Sequence, residues 1–274
     1  MDIDKDNTVR VAGISRLRIE TDGPGIRTLV PLSGCRLDCA YCINGDLRSF
    51  KVGSPCTPEE LLEQVRLDDI YFRASGGGIT FGGGEPLLHG NFIRRFCEIC
   101  PPEWTVAIET SLNVPREDFL RVLDVVDHWI IDIKDLDPTR YLEYTGEPND
   151  NVLSNLEHLR QLGVAPKVLV RVPWIRGLNT RKVAIMSATH LASQGFKTET
   201  FDYLVTEDFL KKYSDRKYDF LPGSLVDLGD DEPVIPRKGS FYNHEQIKKL
   251  HELLKTPLTG ALETEDEHWT DWTD

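Results

Sequence analysis

Three cysteines stand within one short segment, Gly34-Cys35-Arg36-Leu37-Asp38-Cys39-Ala40-Tyr41-Cys42, with C-x3-C-x2-C spacing. Thiolates are soft, negatively charged ligands suited to iron–sulfur clusters or to zinc. Structural zinc takes four protein ligands, and the next cysteine, Cys56, lies 14 residues beyond Cys42, just before a helix cap. Three closely spaced thiolates instead suit three irons of a cubane. The fourth iron then lacks a protein ligand and is open to another molecule. Cys97 and Cys100 form a C-x2-C near the end of an expected helix and read as packed thiols. A disulfide framework does not fit a chain of 274 residues with no signal-peptide pattern at Met1–Asp6.

Two further groups of residues have chemistry in reach. In Phe81-Gly82-Gly83-Gly84-Glu85-Pro86, glycines allow close approach to the backbone, and a carboxylate beside them can accept hydrogen bonds from an ammonium. Polar residues also end otherwise apolar strands: Glu109-Thr110, Asp132 with Lys134, and Arg171. Such groups need partners. They form either an internal ion-pair network, such as Asp132 with Arg171, or a charged rim around a zwitterionic ligand.

The elements that must position these residues alternate strand with helix. Strands are expected at Thr28–Leu32, Gly78–Phe81, Thr105–Ile108, Trp129–Ile133, Lys167–Val172 and near Thr200–Val205. Thr57-Pro58-Glu59-Glu60 spells a capping box that opens a helix. Further helices are expected from Asn91, from Pro115, over Asn151–Gly163 with Asn151 as cap, and over Thr180–Gln194. Six such units imply parallel strands with right-handed crossovers. The class is therefore α/β, as a partial (β/α)6 barrel or an open doubly wound sheet. In either, the cysteine loop lies at the carboxyl edge, where such folds build sites. Residues 207–240 read as an irregular segment over the site, and Asn243–Lys255 as a closing helix.

We read residues 1–260 as the core domain with a C-terminal helical and irregular extension, and 261–274 as a solvated, disordered acidic tail with six acidic residues and no Lys or Arg. The formal net charge is −13, and the body remains acidic without the tail, which argues against a nucleic-acid partner. No apolar run approaches the ~20 residues of a membrane helix. The expected location is cytoplasmic.

The C-x3-C-x2-C spacing with Tyr41 before its last cysteine resembles the signature of the radical S-adenosylmethionine (SAM) superfamily. The resemblance implies a partial barrel, one 4Fe–4S cluster on Cys35, Cys39 and Cys42, and SAM on the open iron. Reduction of the cluster would then release a 5′-deoxyadenosyl radical, with no catalytic residue beyond cluster and SAM. Residue by residue, it assigns Tyr41, Gly83, Gly84, Glu85, Asp132 and Lys134 to SAM, and Glu109 and Arg171 are expected to bind the cofactor from the same rim.

Thr21-Asp22-Gly23-Pro24-Gly25-Ile26-Arg27 resembles the corresponding segment of the glycyl-radical-enzyme activating enzymes, as do Ala74–Thr80 and Ile131–Lys134. This implies a glycyl-radical enzyme as protein partner and a flavodoxin- or ferredoxin-like reductant. The alternative on the same scaffold is a radical SAM enzyme that modifies a small molecule or peptide. The chain departs from the activase pattern at Ile43-Asn44, where histidine and asparagine are usual, at Glu109 for aspartate, and at Asp202-Tyr203-Leu204, which lacks a histidine. There is no ferredoxin-like insert between Cys42 and Gly76.

Overall fold

The computed structural model describes residues 7–19, 21–175 and 178–203. Three short strands come before or beside the main series: β1 (Val9–Val11), β2 (Ser15–Ile19) and, after β3 (Ile26–Leu32), β4 (Ser54–Cys56). Then follow α1 (Pro58–Val65), α2 (Asp69–Ser75), β5 (Gly78–Gly83), α3 (Gly90–Ile99), β6 (Thr105–Thr110) and α4 (Arg116–Leu120). The series ends with β7 (His128–Asp132), α5 (Pro138–Thr145), α6 (Asp150–Gln161), β8 (Val168–Trp174), α7 (Arg181–Ser193) and β9 (Lys197–Asp202).

Strands β3, β5, β6, β7, β8 and β9 are parallel neighbours in chain order, the arrangement of a partial (β/α)6 barrel. Side chains alternate across each strand. Val30, Leu32, Ile79, Phe81, Val106, Ile108, Trp129, Ile131, Val168 and Val170 form the apolar core. The alternate set, including Leu29, Gly82, Glu109, Ile130, Asp132 and Arg171, is left for the inner face. That alternation places charged residues in strands that otherwise read as apolar.

The N-terminal strands were not expected. β1 and β4 pair antiparallel, and β2 pairs antiparallel with β3 through a register shift between Ser15 and Arg18. β2 is largely exposed and carries two arginines, so it has no apolar signal to read. The capping box forms as expected: Thr57 Oγ1 accepts from the Glu60 amide at 3.2 Å, and the Thr57 amide donates to Glu60 Oε2 at 2.9 Å.

Other helix starts differ from expectation. A 3-10 turn over Pro86–His89 runs straight into α3, so Asn91 lies inside the helix and does not cap it. α6 starts at Asp150 with Asn149 before it, and the Asn149 side chain instead donates to Leu136 O. α5, capped by Asp137 ahead of Pro138, was not anticipated. β9 begins at Lys197, earlier than expected, because its partner register starts at Leu169. Expectations for 204–205, 207–240, 243–255 and 261–274, and the boundary at 260, lie outside the described residues.

Arg27 lies completely buried at the amino ends of the parallel strands. Its guanidinium donates to Thr80 Oγ1 at 2.7 Å, to Thr105 O and Oγ1 at 2.9 Å, to Pro24 O at 3.0 Å and to Ile79 O. Burial lowers its pKa to about 10. Arg27 thus fastens the β2–β3 loop to β5 and β6. Gly25 has φ +73°, and a Cβ there would meet the Gly77 backbone at 2.6 Å. The two glycine-bearing segments read from the sequence therefore touch backbone to backbone.

Candidate active site

At the carboxyl edge of the parallel strands lies a cavity of about 560 Å³. Every site residue expected from the sequence lines it: Cys35, Cys39, Cys42, Tyr41, Gly83, Gly84, Glu85, Glu109, Asp132, Lys134 and Arg171. Arg18, Ser111 and Phe201, which the sequence reading did not single out, join them, as does Tyr203 of the segment that lacks the histidine. Arg18 comes from the unexpected strand β2, and Tyr203 from the end of β9. Ile43 lines the cavity while 71% exposed, so an apolar side chain stands at the mouth next to Cys42.

The cysteine loop follows β3 and is held from three sides. The Gly34 amide donates to Leu47 O at 2.7 Å, the Glu85 amide to Gly34 O at 2.7 Å, and the Asp38 and Ala40 amides to Thr145 O and Tyr144 O at 2.7 and 2.8 Å. The unanticipated helix α5 is thus what supports the loop from below. Tyr41 is buried and meets the Tyr203 ring edge-on, with centroids 5.0 Å apart.

The glycines have a reason besides the one expected. A Cβ on Gly84 would stand 2.2 Å from Gly34 O, and one on Gly83, whose φ is +99°, 2.7 Å from Pro31 Cβ. They let the second loop press against the cysteine loop. Glu85 is also committed. Its Oε1 accepts from Thr110 Oγ1 at 2.6 Å and the Leu87 amide at 3.2 Å; its Oε2 accepts from the Ser111 amide at 3.0 Å and Ser111 Oγ at 2.6 Å. Four protein donors fill the four lone-pair sites of a carboxylate. Glu85 therefore pins its loop to the end of β6 and has no site left for an ammonium. Burial pushes its carboxyl upward, opposed by the bonds from Ser111, Thr110 and Leu87.

The strand-end charges pair differently from the example Asp132 with Arg171. Those two are register neighbours on β7 and β8. Yet Asp132 pairs with Lys134 at 3.2 Å, and Arg171 with Glu109 at 2.8 Å and Glu199 at 2.6 Å. A third pair, Arg18 with Asp22, closes the β2 side. Burial works against the Lys134 ammonium, but the Asp132 carboxylate, with Tyr41, Cys39 and Tyr203 nearby, keeps its pKa well above the ordinary value. Burial, and next the Asp132 charge, raise Glu109 to about 7 against the pull of Arg171.

The donor set fits a cluster and a polar ligand. Burial pushes the Cys35 thiol up to about 12 and Cys39 to about 11, so these thiols need a metal to ionise at neutral pH. Among the described residues no three His, Cys, Asp or Glu side chains gather closely enough to hold a single ion. Three soft thiolates on one loop suit a cubane, where each thiolate binds its own iron. Cys56 lies apart, donating to Thr57 O at 3.4 Å and accepting from Gln64 Nε2 at 3.8 Å. Cys97 and Cys100 pack against the core. Among the described residues Asp132 Oδ1 and Tyr41 Oη are buried without a hydrogen-bond partner, and both belong to cavity residues. Orphaned polar atoms of this kind call for a ligand or water.

Comparison with known proteins gives the same direction. The family model for the radical SAM superfamily matches residues 29–187. The pyruvate formate-lyase-activating enzyme of Clostridium pasteurianum is 31% identical over 239 residues, covering 86% of this chain and 93% of the relative. The (2S)-3-sulfopropanediol dehydratase activating enzyme of Klebsiella oxytoca is 28% identical over 258 residues, covering 71% and 80%. Streptococcus suis SuiB bound to S-adenosylmethionine superposes with a TM-score of 0.53 at 13% identity, over 82% of this chain and 45% of that one, a likeness of fold. Among the described residues no helix is long and apolar enough to cross a membrane.

Proposed function

The chain belongs to the radical SAM superfamily, and from that premise we propose that it is an activating enzyme for a glycyl-radical enzyme. The superfamily works with a 4Fe–4S cluster and S-adenosylmethionine. Cys35, Cys39 and Cys42 would hold the cluster. Asp132, Lys134, Tyr41 and the Gly83–Gly84 backbone would hold SAM. When bound and reduced, this pair supplies a 5′-deoxyadenosyl radical.

The chain's own residues supply the setting. Lys134, kept protonated by Asp132, offers a cation to a carboxylate. Asp132 Oδ1 and Tyr41 Oη offer polar atoms without a hydrogen-bond partner among the described residues. Glu85 holds the glycine loop in place. The proposed substrate atom is the Cα of one glycine in the partner, which gives up its hydrogen and is left as a glycyl radical. The proposed electron source is a flavodoxin- or ferredoxin-like protein. The net change is an oxidation of the partner's backbone, hence an oxidoreductase.

The observation that carries the activase reading is the position of Asp22. It belongs to the segment that resembles the activases, and it lines the same cavity as the three cysteines. The names of the relatives aligned over most of the chain point the same way.

The test is anaerobic reconstitution with iron and sulfide, then reduction with SAM. A 4Fe–4S spectrum and 5′-deoxyadenosine are expected, and lack of either sinks the radical SAM assignment for this site. Adding a co-encoded glycyl-radical protein should then give a glycyl EPR doublet. Turnover of SAM with no doublet would favour a small-molecule or peptide substrate.

A further inference from the structure

Among the described residues the parallel series ends at β9 on one side and at β3 on the other, where β2 pairs with β3. A side chain of β8 reaches across the inner face. Arg171 Nε donates to Glu199 Oε1 on β9 at 2.6 Å, and Nη1 to Glu109 Oε1 on β6 at 2.8 Å. Nη2 donates to the carbonyl of Thr21, in the loop between β2 and β3. All three nitrogens of the guanidinium are thus engaged by protein. Arg171 also lines two cavities: the cysteine cavity, and a second of about 940 Å³ bounded by Gly23, Pro24, His128 and Ile130. It stands where the two meet.

The loop it holds borders the cysteine cavity. Thr21 and Asp22 line the cysteine cavity, and Asp22, only 3% exposed, pairs with Arg18 of β2. From the other side the Asp22 carbonyl accepts from Thr80 Oγ1 at 2.7 Å. The loop is therefore fixed to β5 on one side and to β8 on the other. A planar fork with donors in three directions can span acceptors on three elements; a lysine ammonium on a flexible stem cannot.

We propose that Arg171 is a positioning residue that latches the β2–β3 loop to β6, β8 and β9. It thereby fixes one wall of the cysteine cavity, and it does not bind SAM. The inference rests on membership in the superfamily and on no choice of partner.

The experiment compares wild type and Arg171→Ala as anaerobically reconstituted holoenzymes. Amide hydrogen exchange is followed over residues 15–26, and the dissociation constant for SAM is measured by calorimetry. In Arg171→Ala, exchange over 15–26 is expected to quicken about tenfold or more, with SAM affinity within about threefold of wild type. Sub-denaturing guanidinium should restore slow exchange in this variant, and urea, alike in shape but uncharged, should not. Unchanged exchange, equal rescue by urea, or a SAM dissociation constant raised about tenfold overturns the proposal. Should Arg171→Ala fail to fold, Glu199→Ala carries the test, since Glu199 is half exposed and lies outside the cavity lining. It removes one of the three anchors, and exchange over 15–26 should quicken about threefold with SAM affinity unchanged. No change in that exchange also overturns the latch.

Discussion

Ser111 Oγ donates to Glu85 Oε2 at 2.6 Å, and the Ser111 amide donates to the same oxygen at 3.0 Å. This one contact ties the end of β6 to the glycine loop, and the glycine loop in turn lies against the cysteine loop. Glu85→Gln would turn one carboxylate oxygen into a donor facing donors. A buried mismatch of this kind costs about 1–3 kcal/mol. SAM affinity of the reconstituted enzyme should fall roughly tenfold, with a lower melting temperature; unchanged affinity by calorimetry would refute the pin.

The cysteines divide into two sets. Cys35→Ser, Cys39→Ser and Cys42→Ser should each lose the 4Fe–4S absorbance and most bound iron after reconstitution. Cys56→Ser and Cys97→Ser should keep both, since these thiols lie outside the cavity lining. Iron and sulfide analysis decides, and loss of iron in Cys56→Ser would reopen the question of a fourth ligand.

Gly84→Ala places a methyl 2.2 Å from Gly34 O, a distance no Cβ tolerates. The two loops must part, so cluster assembly should fail or give a labile cluster. Gly13→Ala is the control, because nothing lies within 4 Å of its added Cβ. Comparable cluster content in both variants would refute the close-approach argument.

Glu109 carries a pH signature. Its folded pKa, about 7, lies above the ~4.3 of an unfolded glutamate. Above both values the carboxylate is charged in either state, and burial of that charge opposes folding. Below both it is neutral, and the penalty is absent. The stability of the cluster-free protein relative to Glu109→Gln should therefore fall as pH rises from about 4.5 to about 7.5. Urea unfolding at several pH values measures this, and a rise over that window would contradict the sign.

Arg27 is a structural clamp. Arg27→Met removes the charge and orphans acceptors on Thr80, Thr105, Pro24 and Ile79. The expected destabilisation is about 3–5 kcal/mol, from several unsatisfied buried groups at once. A urea midpoint within error of wild type would show that the guanidinium is dispensable.

Much of this was legible in the chain. The C-x3-C-x2-C spacing declared a three-thiolate site because ligand geometry confines those residues to one loop. The strand–helix alternation declared six parallel strands, because apolar period and capping residues act locally. Thr57–Glu60 formed its capping box for the same local reason. Other features had no local signal. β2 is short, charged and exposed, and it exists because β3 offers an edge. α5 supports the cysteine loop through carbonyls at Tyr144 and Thr145, and Tyr144 shares an apolar cluster with Tyr41. The partners of Glu85, Asp132 and Arg171 were undecided, since which charge meets which depends on strand register and on how the sheet curves. The sequence alone thus marked the cysteine loop, the glycine turn and the strand-end charges that line the cavity, though not Arg18, Ser111 or Phe201. Only the tertiary structure decided which of them keep a buried polar atom unpaired among the described residues, as Asp132 and Tyr41 do, and which are spent holding the walls, as Glu85 and Arg171 are. Hydrogen-bond capacity is finite, and it is allotted by contacts between segments far apart in the chain.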